Sequence, residues 1–455
     1  AKDRRSAMTP AGLAKLWAGL ALLFGTVFVF TIPPFQSPDE PNHFLRAWQI
    51  SEGVWLPEKG DNRLGGTVPA SLVQLCDSFA YLKMDYEARL ALPQLETARR
   101  LALSGHQRVF ADFPNTAIYA PTAYLPQAAG IGLCRLAGAG PLAMLYGARF
   151  ANLIVWILLV WRALLLMPFL RPLMAALALL PASLVIAASA NADVITNGLC
   201  WWLIASFLAG AGKYHLQIAA FILACLNKLI VLPIGLFPFS LNIKRAGRNL
   251  LPAVLLLVAG FAAALFWGQF ARAAFIPYDH YAPAYRDAQT LNEGVDPARQ
   301  LARVATHPFE FTGIALRSAA RALPSVAAHI VGKFGWEKNY LHPVWLALLG
   351  LCLAALVSTE SPLIRPFQRA AAGGIVAVYV FLFALTMYAL WCPVGATEVT
   401  NFQGRYFTPI LPLTMLAVAN GRLAAKAKVI RICAATVLIL GNLAIIAAIM
   451  QRYYW

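Results

Sequence analysis

Two adjacent carboxylates lie in a proline-rich segment just after the first apolar block of the chain. Asp39 and Glu40 stand between Pro38 and Pro41. Because a proline ring fixes its own φ angle and restricts the residue before it, the segment holds both acids in few conformations. Paired acids suit glycosyl transfer, in which one acid removes the proton of the acceptor hydroxyl while its neighbour orients or tunes it. The spacing therefore predicts catalysis by Asp39 with support from Glu40.

A structural role is the alternative for Asp39. Residues 43–50 have a helical pattern of apolar side chains, and an aspartate before such a pattern is a common N-cap. His43 follows Glu40 by about one helical turn. A lone histidine beside acids is more often a hydrogen-bonding group than a metal ligand, and no other histidine has ligand spacing to it. We therefore expect His43 to orient the acids or the substrate.

The composition indicates that the elements around these residues cross a membrane. The 455 residues are 60% hydrophobic and only 13% charged, whereas soluble domains carry roughly 25% charged residues. A bilayer requires about 20 apolar residues for each helix. The apolar blocks show no alternation of period two, so helices rather than barrel strands are predicted. Five blocks carry at most one charge each: 11–31, 250–271, 343–358, 372–397 and 432–450.

The formal net charge of +17 does not indicate a nucleic-acid partner. The basic residues form short clusters between the apolar blocks instead of one stripe, which is the pattern of loops on the cytoplasmic side of a membrane. Lys2, Arg4 and Arg5 precede the first span and predict a cytoplasmic N-terminus.

One segment decides the predicted topology. If residues 118–136 span the membrane, Arg162, Arg171 and Lys213 face outward. If the segment is a helix on the membrane surface, every basic cluster between spans is cytoplasmic. The second arrangement agrees with the positive-inside bias, and we predict it for that reason.

The predicted fold is all-α, with about eleven spans. It divides into a cytoplasmic N-terminus and first span (1–32), an outer-loop cap with juxtamembrane helices (33–146), helices 2–7 (147–270), a second outer loop (271–341) and helices 8–11 (342–455). Helices 2–7 include a span over 173–190 and a hairpin of two short helices, 215–227 and 229–241, with Lys228 at its tip. The basic residues that follow the hairpin are Lys244, Arg245 and Arg248.

Several short motifs resemble a known family. The segment PPFQSPDEPNH (33–43), followed by RAWQISEG (46–53), is similar to the signature of a bacterial family of multi-spanning proteins long described as of unknown function. That family resembles the GT-C superfamily, which includes oligosaccharyltransferases, protein mannosyltransferases and lipid A aminoarabinose transferases. Further matches are SANADVITN (189–197), NK (227–228) and QGRYF (403–407). The resemblance extends from Pro33 to about Pro412.

The resemblance implies a bacterial inner-membrane enzyme with its active site on the periplasmic face. In the GT-C superfamily the first outer loop carries the catalytic acid and its surface helices cover the site, which implies that Asp39 is the base and that 118–136 lies on the surface. It also implies a polyprenyl-phosphate sugar as donor and inversion at the anomeric carbon. The 189–197 segment lacks an Asp-x-Asp pair, so nothing indicates a divalent metal, and we expect no other cofactor.

Five further residues are candidates for binding the substrate. The departing lipid phosphate needs fixed positive charge, which Arg405 can supply through two parallel hydrogen bonds and Lys228 as a point charge. Snorkelling to lipid headgroups is the alternative for both cations. Asp193 is a candidate second acid, with helix capping as its alternative. Gln403 and Tyr406 can donate hydrogen bonds.

The second outer loop also carries aromatic side chains that can stack on sugar rings, although an interfacial belt is the commoner use of such residues. They are Phe275, Tyr278, Tyr281, Tyr285, Phe334, Trp336 and Tyr340.

The sequence thus predicts transfer of a sugar from a polyprenyl-phosphate donor to a cell-surface or lipid-linked glycan, with membrane lipids as further partners. A transporter or flippase of lipid-linked sugars is the first alternative, but it would place its essential charges at the membrane midplane. The second alternative is a non-catalytic partner in an envelope-glycan complex, which would tolerate loss of both Asp39 and Glu40.

Overall fold

The computed structural model describes residues 8–210, 213–242, 250–336 and 339–455. The predicted N-terminal cluster of Lys2, Arg4 and Arg5 lies outside these residues, as does the basic loop over 244–248. The described part is mostly helical (72%), with 20 α-helices and three short strands.

The first ten helices are α1 (Pro10–Thr31), α2 (Glu40–Ser51), α3 (Ala70–Ser78), α4 (Leu92–Arg100), α5 (Pro114–Ala117), α6 (Leu125–Leu136), α7 (Pro141–Leu166), α8 (Arg171–Ala178), α9 (Pro181–Ala187) and α10 (Asp193–Ala209). The next ten are α11 (Tyr214–Asn227), α12 (Phe237–Asn242), α13 (Leu250–Ala274), α14 (Pro283–Arg286), α15 (Pro297–Thr306), α16 (Pro308–Gly332), α17 (Pro343–Val357), α18 (Pro366–Trp391), α19 (Leu411–Val418) and α20 (Ala427–Tyr453). The strands are β1 (Glu58–Gly60), β2 (Arg63–Pro69) and β3 (Arg108–Asp112).

Five helices of the described chain are long and apolar enough to cross a membrane, namely α1, α7, α13, α18 and α20. Four other apolar stretches are shorter, with 10–17 residues: Asp193–Ala209, Tyr214–Asn227, Leu229–Leu241 and Pro343–Val357. Length and composition therefore support five of the eleven predicted spans.

The span predicted over 173–190 is divided into two short helices, α8 and α9. The division falls at Pro181, the first residue of α9. A proline has no N–H for the helical hydrogen bond and its ring clashes with the preceding turn, which accounts for the division at this position. The predicted hairpin over 215–241 does turn at Lys228, which ends α11 with extended backbone angles. Its second arm is a 3-10 helix, Leu229–Leu236, followed by α12.

A small antiparallel sheet in the first loop corrects the all-α prediction. Its strand order is β1-β2-β3, and it lies within the predicted cap over 33–146. Gly65 of β2 comes so close to β3 that a Cβ atom would overlap the carbonyl oxygen of Ala111. Strands this short and rich in glycine have the composition of a loop, which is why the sequence did not indicate them.

The segment that decides the topology contains a 3-10 helix, Pro121–Tyr124, and one short α-helix. Helix α6 has 12 residues, so it is about 18 Å long at 1.5 Å per residue, whereas a bilayer core is about 30 Å thick. It packs along α7 and α2. This length favours the prediction that residues 118–136 do not span. Helix α7 then begins at Pro141, several residues before the predicted start of the second span.

The ends of the five long helices separate the chain into two faces. One face, which we call the cap end, holds the first loop together with the C-termini of α1, α13, α18 and α20 and the N-terminus of α7. Four hydrogen bonds hold the C-termini of α1, α13, α18 and α20 there: Leu90 N to Tyr453 O (2.6 Å), Tyr454 Oη to Thr31 O (3.0 Å), Lys59 Nζ to Ala273 O (3.0 Å) and Asn292 Nδ2 to Trp391 O (2.7 Å).

The helix ends at the opposite face carry many basic residues. There the end of α7 meets the start of α20, because Glu360 accepts a hydrogen bond from Leu170 N and pairs with Arg431. The basic residues on helix ends directed to this face are Arg162, Arg171, Lys213, Arg365, Arg369, Arg422, Lys426, Lys428 and Arg431.

A buried ion pair joins the helices beneath the cap end. Glu40, the first residue of α2, pairs with Arg149 of α7 at 2.6 Å and 2.8 Å, and both side chains are fully buried. Glu40 also accepts a hydrogen bond from Ala190 N at 3.0 Å. The remaining Arg149 donors bond to carbonyl oxygens at the end of α1: those of Val29, Ile32 and Pro33. One ion pair thus connects α1, α2, α7 and the segment before α10.

This ion pair generates a stability prediction. Glu40→Gln keeps the shape of the side chain but leaves the buried Arg149 guanidinium without a counter-charge, so we expect a loss of about 3–5 kcal/mol of stability. The melting temperature of the purified protein in detergent measures it. The matched control is Glu96→Gln, which removes an exposed pair with Arg100 and should change the melting temperature little. Equal melting temperatures for the two variants would contradict the prediction.

Candidate functional site

A cavity of about 350 Å³ lies at the cap end, between the first and second loops and the starts of several helices. Six of the eight residues predicted from the sequence line it: Asp39, His43, Asp193, Gln403, Arg405 and Tyr406. Lys228 reaches the same place by pairing with Asp193. Residues that are more than 150 positions apart along the chain therefore meet around one space.

Asp39 points into this cavity instead of capping a helix. It precedes α2 with a left-handed backbone (φ 61°), and its side chain makes no capping hydrogen bond. A non-glycine residue in this region is uncommon, and the surrounding structure must hold it there. Asp39 Oδ2 accepts a hydrogen bond from Arg405 Nη2 at 2.6 Å, and Oδ1 accepts one from Asn115 Nδ2 at 3.4 Å. The same backbone directs the Asp39 side chain into the cavity and the Glu40 side chain into the protein interior.

The electrostatic surroundings keep Asp39 ionised. Burial by itself would raise the pKa of this carboxyl, but the adjacent Arg405 guanidinium, with His43 and Lys83, outweighs burial and lowers the pKa below its ordinary value. The side chain remains 21% exposed. Asp39 is thus a carboxylate held by a cation, and it becomes a stronger base when that cation is drawn elsewhere.

His43 is neutral at physiological pH. Burial lowers its pKa to about 4, although the charges of Asp39 and Asp193 act in the opposite direction. Its Nδ1 atom shares a hydrogen bond of 2.9 Å with the Tyr124 hydroxyl, and its ring stacks on Tyr119 with 6.3 Å between centroids. A neutral imidazole held on two sides can orient a substrate hydroxyl, as predicted, but it carries no charge for phosphate.

Asp193 and Lys228 form the second ion pair of the site. Asp193 is the first residue of α10, and Asn191 Oδ1 accepts the backbone N–H of Asp193 at 2.8 Å. Lys228 is 13% exposed and its Nζ lies 4.9 Å from the centroid of the Tyr406 ring. The ammonium group is therefore directed into the protein, where snorkelling to headgroups does not account for its position.

Tight packing of the segment after α18 directs Arg405 toward the acid. A Cβ atom on Gly404 would come within 2.5 Å of His329 Cβ and 2.8 Å of Val326 O on α16, so only glycine allows this approach. Gly404 N also donates to His329 Nδ1 at 3.2 Å. The Arg405 Nη2 atom bonds to Asp39 and to the Tyr406 hydroxyl (3.1 Å), while its Nε has no hydrogen-bond partner among the described residues.

The other predicted residues of this segment shape the cavity wall. Gln403 Nε2 donates to Asn401 Oδ1 at 2.5 Å. The Tyr406 carbonyl accepts a hydrogen bond from Tyr379 at 2.6 Å, which fixes the backbone and leaves the Tyr406 hydroxyl beside Arg405. Both side chains belong to the site, in agreement with the spacing of the QGRYF motif.

An apolar cavity adjoins the polar one and shares Arg405 with it. This second cavity is narrow, about 40 Å³, and most of its wall comes from α9, α10 and α16. Four residues line both cavities: Pro38, Lys333, Gln403 and Arg405. Arg405 therefore stands where a polar space meets an apolar one.

Glu40 does not belong to the cavity, and the predicted support of Asp39 by this acid does not fit its position. Both Glu40 oxygens are used by Arg149 and Ala190 N in the fully buried network. Because Asp39 has a left-handed backbone and Glu40 a helical one, their side chains point in opposite directions. Glu40 acts by fixing the backbone on which Asp39 stands.

Sequence reasoning missed several residues of the cavity because they belong to none of the motifs. They are Lys83, Met84, Asn115, Tyr119, Thr290, Asn292, Lys333, Trp391, Thr400 and Asn401. Arg149 was missed as well, although a charged residue inside an apolar block was a signal that could have indicated it. Among the described residues, no group of three or more His, Cys, Asp or Glu side chains is arranged to hold a metal ion.

Comparison with known proteins gives one match. The model of a family described as predicted membrane protein (DUF2142) matches residues 22–414, which contain every residue that lines the cavity. Searches of the curated proteins and of the solved structures find no match. Since the match covers most of the chain and the structure has five helices suited to a bilayer, the protein belongs to the DUF2142 family of predicted membrane proteins.

Proposed function

We propose that this protein is a glycosyltransferase that moves a sugar from a polyprenyl-phosphate donor to a hydroxyl group of a glycan acceptor. The observation that carries the proposal is the contact between Asp39 and Arg405 at the junction of the polar and apolar cavities. A base and an anion-binding group stand together where a polar headgroup meets an apolar chain. The resemblance of the motifs to the GT-C superfamily supports the same reaction.

In the proposed reaction the chain supplies a base and fixed positive charge. Asp39 takes the proton of the acceptor hydroxyl as its oxygen bonds to the anomeric carbon. The bond between that carbon and the phosphate oxygen breaks on the opposite side, so the configuration inverts. The lipid phosphate leaves as an anion, and Arg405 and Lys228 stabilise the developing charge. His43 and Gln403 are placed to orient the sugar.

Binding of the donor activates the base in this proposal. Among the described residues, no group accepts a hydrogen bond from Arg405 Nε, and Arg405 Nη2 bonds to Asp39. A phosphate is a stronger partner for a guanidinium fork than one carboxylate oxygen. When it draws Arg405 away, the pKa of Asp39 rises toward the range in which the carboxylate accepts a proton. Deprotonation of the acceptor is thereby coupled to the presence of the donor.

The proposed location is the bacterial inner membrane, with the cavity on the periplasmic side. The helix ends at the face opposite the cap end are rich in lysine and arginine. Cytoplasmic loops are the ones enriched in lysine and arginine. The basic face is therefore assigned to the cytoplasm, together with the N-terminus.

Labelling tests this orientation. In a variant whose seven native cysteines are replaced by serine, Glu293→Cys marks the cap end and Arg422→Cys marks the basic face. A membrane-impermeant maleimide should label the first variant in intact spheroplasts and the second only after lysis. Labelling of the Arg422→Cys variant in intact spheroplasts would overturn the assigned orientation.

Removal of the base tests the activity itself. Purified protein should transfer sugar from at least one member of a panel of polyprenyl-phosphate sugars, and Asp39→Asn should reduce the rate by about 10²–10⁴-fold, the range for loss of a general base. The control is Asp77→Asn, an exposed acid of the same loop that does not line the cavity. Absence of transfer with every donor would reject the proposed reaction, and lipid binding that is retained in that case would favour transport or assembly. Full activity of Asp39→Asn would reject Asp39 as the base.

The Arg405 contact predicts a change in the pH profile. Since Arg405 lowers the pKa of Asp39, Arg405→Gln raises it, and a base is active only above its pKa. The acidic limb of kcat/KM against pH should therefore move to higher pH in this variant, besides any loss of rate. Lys426→Gln, at the basic face, should leave the limb in place. If the acidic limb of the Arg405→Gln profile stays at the wild-type pH, the predicted effect of Arg405 on the pKa of Asp39 is wrong.

A further inference from the structure

We propose that the outer wall of the polar cavity is a subsite for an anionic sugar, one that carries a phosphate or a carboxylate, with Lys83 and Trp336 as its recognition elements. This inference rests on the proposed function in taking the bound sugar as the acceptor. The residues of the cavity wall support the subsite itself, and they indicate the chemical class of a ligand that the motifs leave open.

Lys83 and Trp336 form one unit on that wall. The Lys83 ammonium lies 4.2 Å from the centroid of the Trp336 ring, within the range of a cation–π interaction. Both residues line the polar cavity and neither lines the apolar one. Lys83 also contributes to the lowered pKa of Asp39, so a group bound at Lys83 is within electrostatic reach of the base.

The Trp336 ring is held rigidly. Its Nε1 donates to the carbonyl oxygen of Phe35 at 3.2 Å, and the side chain is 8% exposed. The preceding residue, Gly335, has a left-handed backbone (φ 63°), and a Cβ atom there would lie 2.5 Å from the Tyr453 hydroxyl. A fixed aromatic face is a platform for a sugar ring, since little conformational freedom is lost when a ligand stacks on it.

The charges around the cavity favour an additional anion. Asp39 and Asp193 line it, and both already pair with other cations, Arg405 and Lys228. Lys83 lines the cavity as a further cation, and its ammonium lies over the Trp336 ring. In the proposed reaction the donor phosphate is bound by Arg405. Lys83 lines only the polar cavity, so it is suited to a second anion.

The remaining groups of this wall suit a sugar. Amides and hydroxyls hydrogen-bond with the hydroxyl groups of saccharides, and the cavity of about 350 Å³ is at the lower end of the range for small-molecule sites. The polar and aromatic residues on the wall near the second loop are Thr290, Asn292, Trp391, Thr400 and Asn401. An anionic monosaccharide unit combines the features that Lys83, Trp336 and these residues can recognise.

Binding of simple sugars in the absence of donor tests the subsite. The probes are glucose 6-phosphate, glucuronate and uncharged glucose, and tryptophan fluorescence of the full-length protein in detergent gives the dissociation constants. We expect one or both anionic sugars to bind about tenfold more tightly than glucose, and the phosphate and carboxylate probes show which anion is preferred. Trp336→Phe should remove the fluorescence change, which assigns the signal to this ring among the 12 tryptophans.

Four lysine and arginine variants locate the anion. Lys83→Gln should abolish the preference for anionic sugars, Lys83→Arg should retain it, and Lys426→Gln is the matched control that should leave it unchanged. The inference is overturned if neither anionic sugar binds more tightly than glucose, or if the preference survives in Lys83→Gln. A preference lost only in Arg405→Gln would also overturn it, because the anion would then occupy the donor phosphate site.

The two proposals fail in different ways. The binding experiment contains no donor lipid, so a preference that depends on Lys83 stands even if no sugar is ever transferred. Conversely, transfer that depends on Asp39 supports the reaction even if Lys83→Gln binds all three probes like the wild type.

Discussion

The candidate site depends on the buried contact between Arg149 and Glu40. Two charges in a low-dielectric interior are stable only when their hydrogen-bonding capacity is nearly filled. Here the carboxylate receives the guanidinium and a backbone N–H, and the guanidinium also bonds to the carbonyl oxygens that end α1. Helix ends leave such carbonyls without partners, so Arg149 satisfies groups that would otherwise need water.

This network determines where the two acids of the cavity stand. Glu40 is anchored one residue after Asp39, and Ala190 is anchored three residues before Asp193. Asn152 and Gln127 add hydrogen bonds to the carbonyl of Asn191 at 3.0 Å and 3.2 Å. Two acids that are distant in the sequence therefore share one rigid support, which holds both in fixed positions at the cavity.

The site combines two ion pairs in different environments. Asp39 and Arg405 face the cavity at the junction with an apolar space, where a phosphate can compete for the guanidinium. Asp193 and Lys228 lie deeper, beside the Tyr406 ring. In the proposed reaction the first pair opens when substrate binds and the second keeps a fixed cation near the leaving group. In the proposed orientation this chemistry lies at the membrane surface opposite the basic face.

The sequence by itself determined the membrane class and six residues of the cavity, because hydropathy and short proline, glycine and charge motifs are local properties. It did not determine the role of Glu40, since the directions of two neighbouring side chains depend on a left-handed backbone that only the fold imposes. It also did not indicate the small sheet or the unit of Lys83 and Trp336. Those features arise from contacts between segments as much as 300 residues apart, such as the bond from Trp336 to Phe35, and no local pattern encodes such a contact.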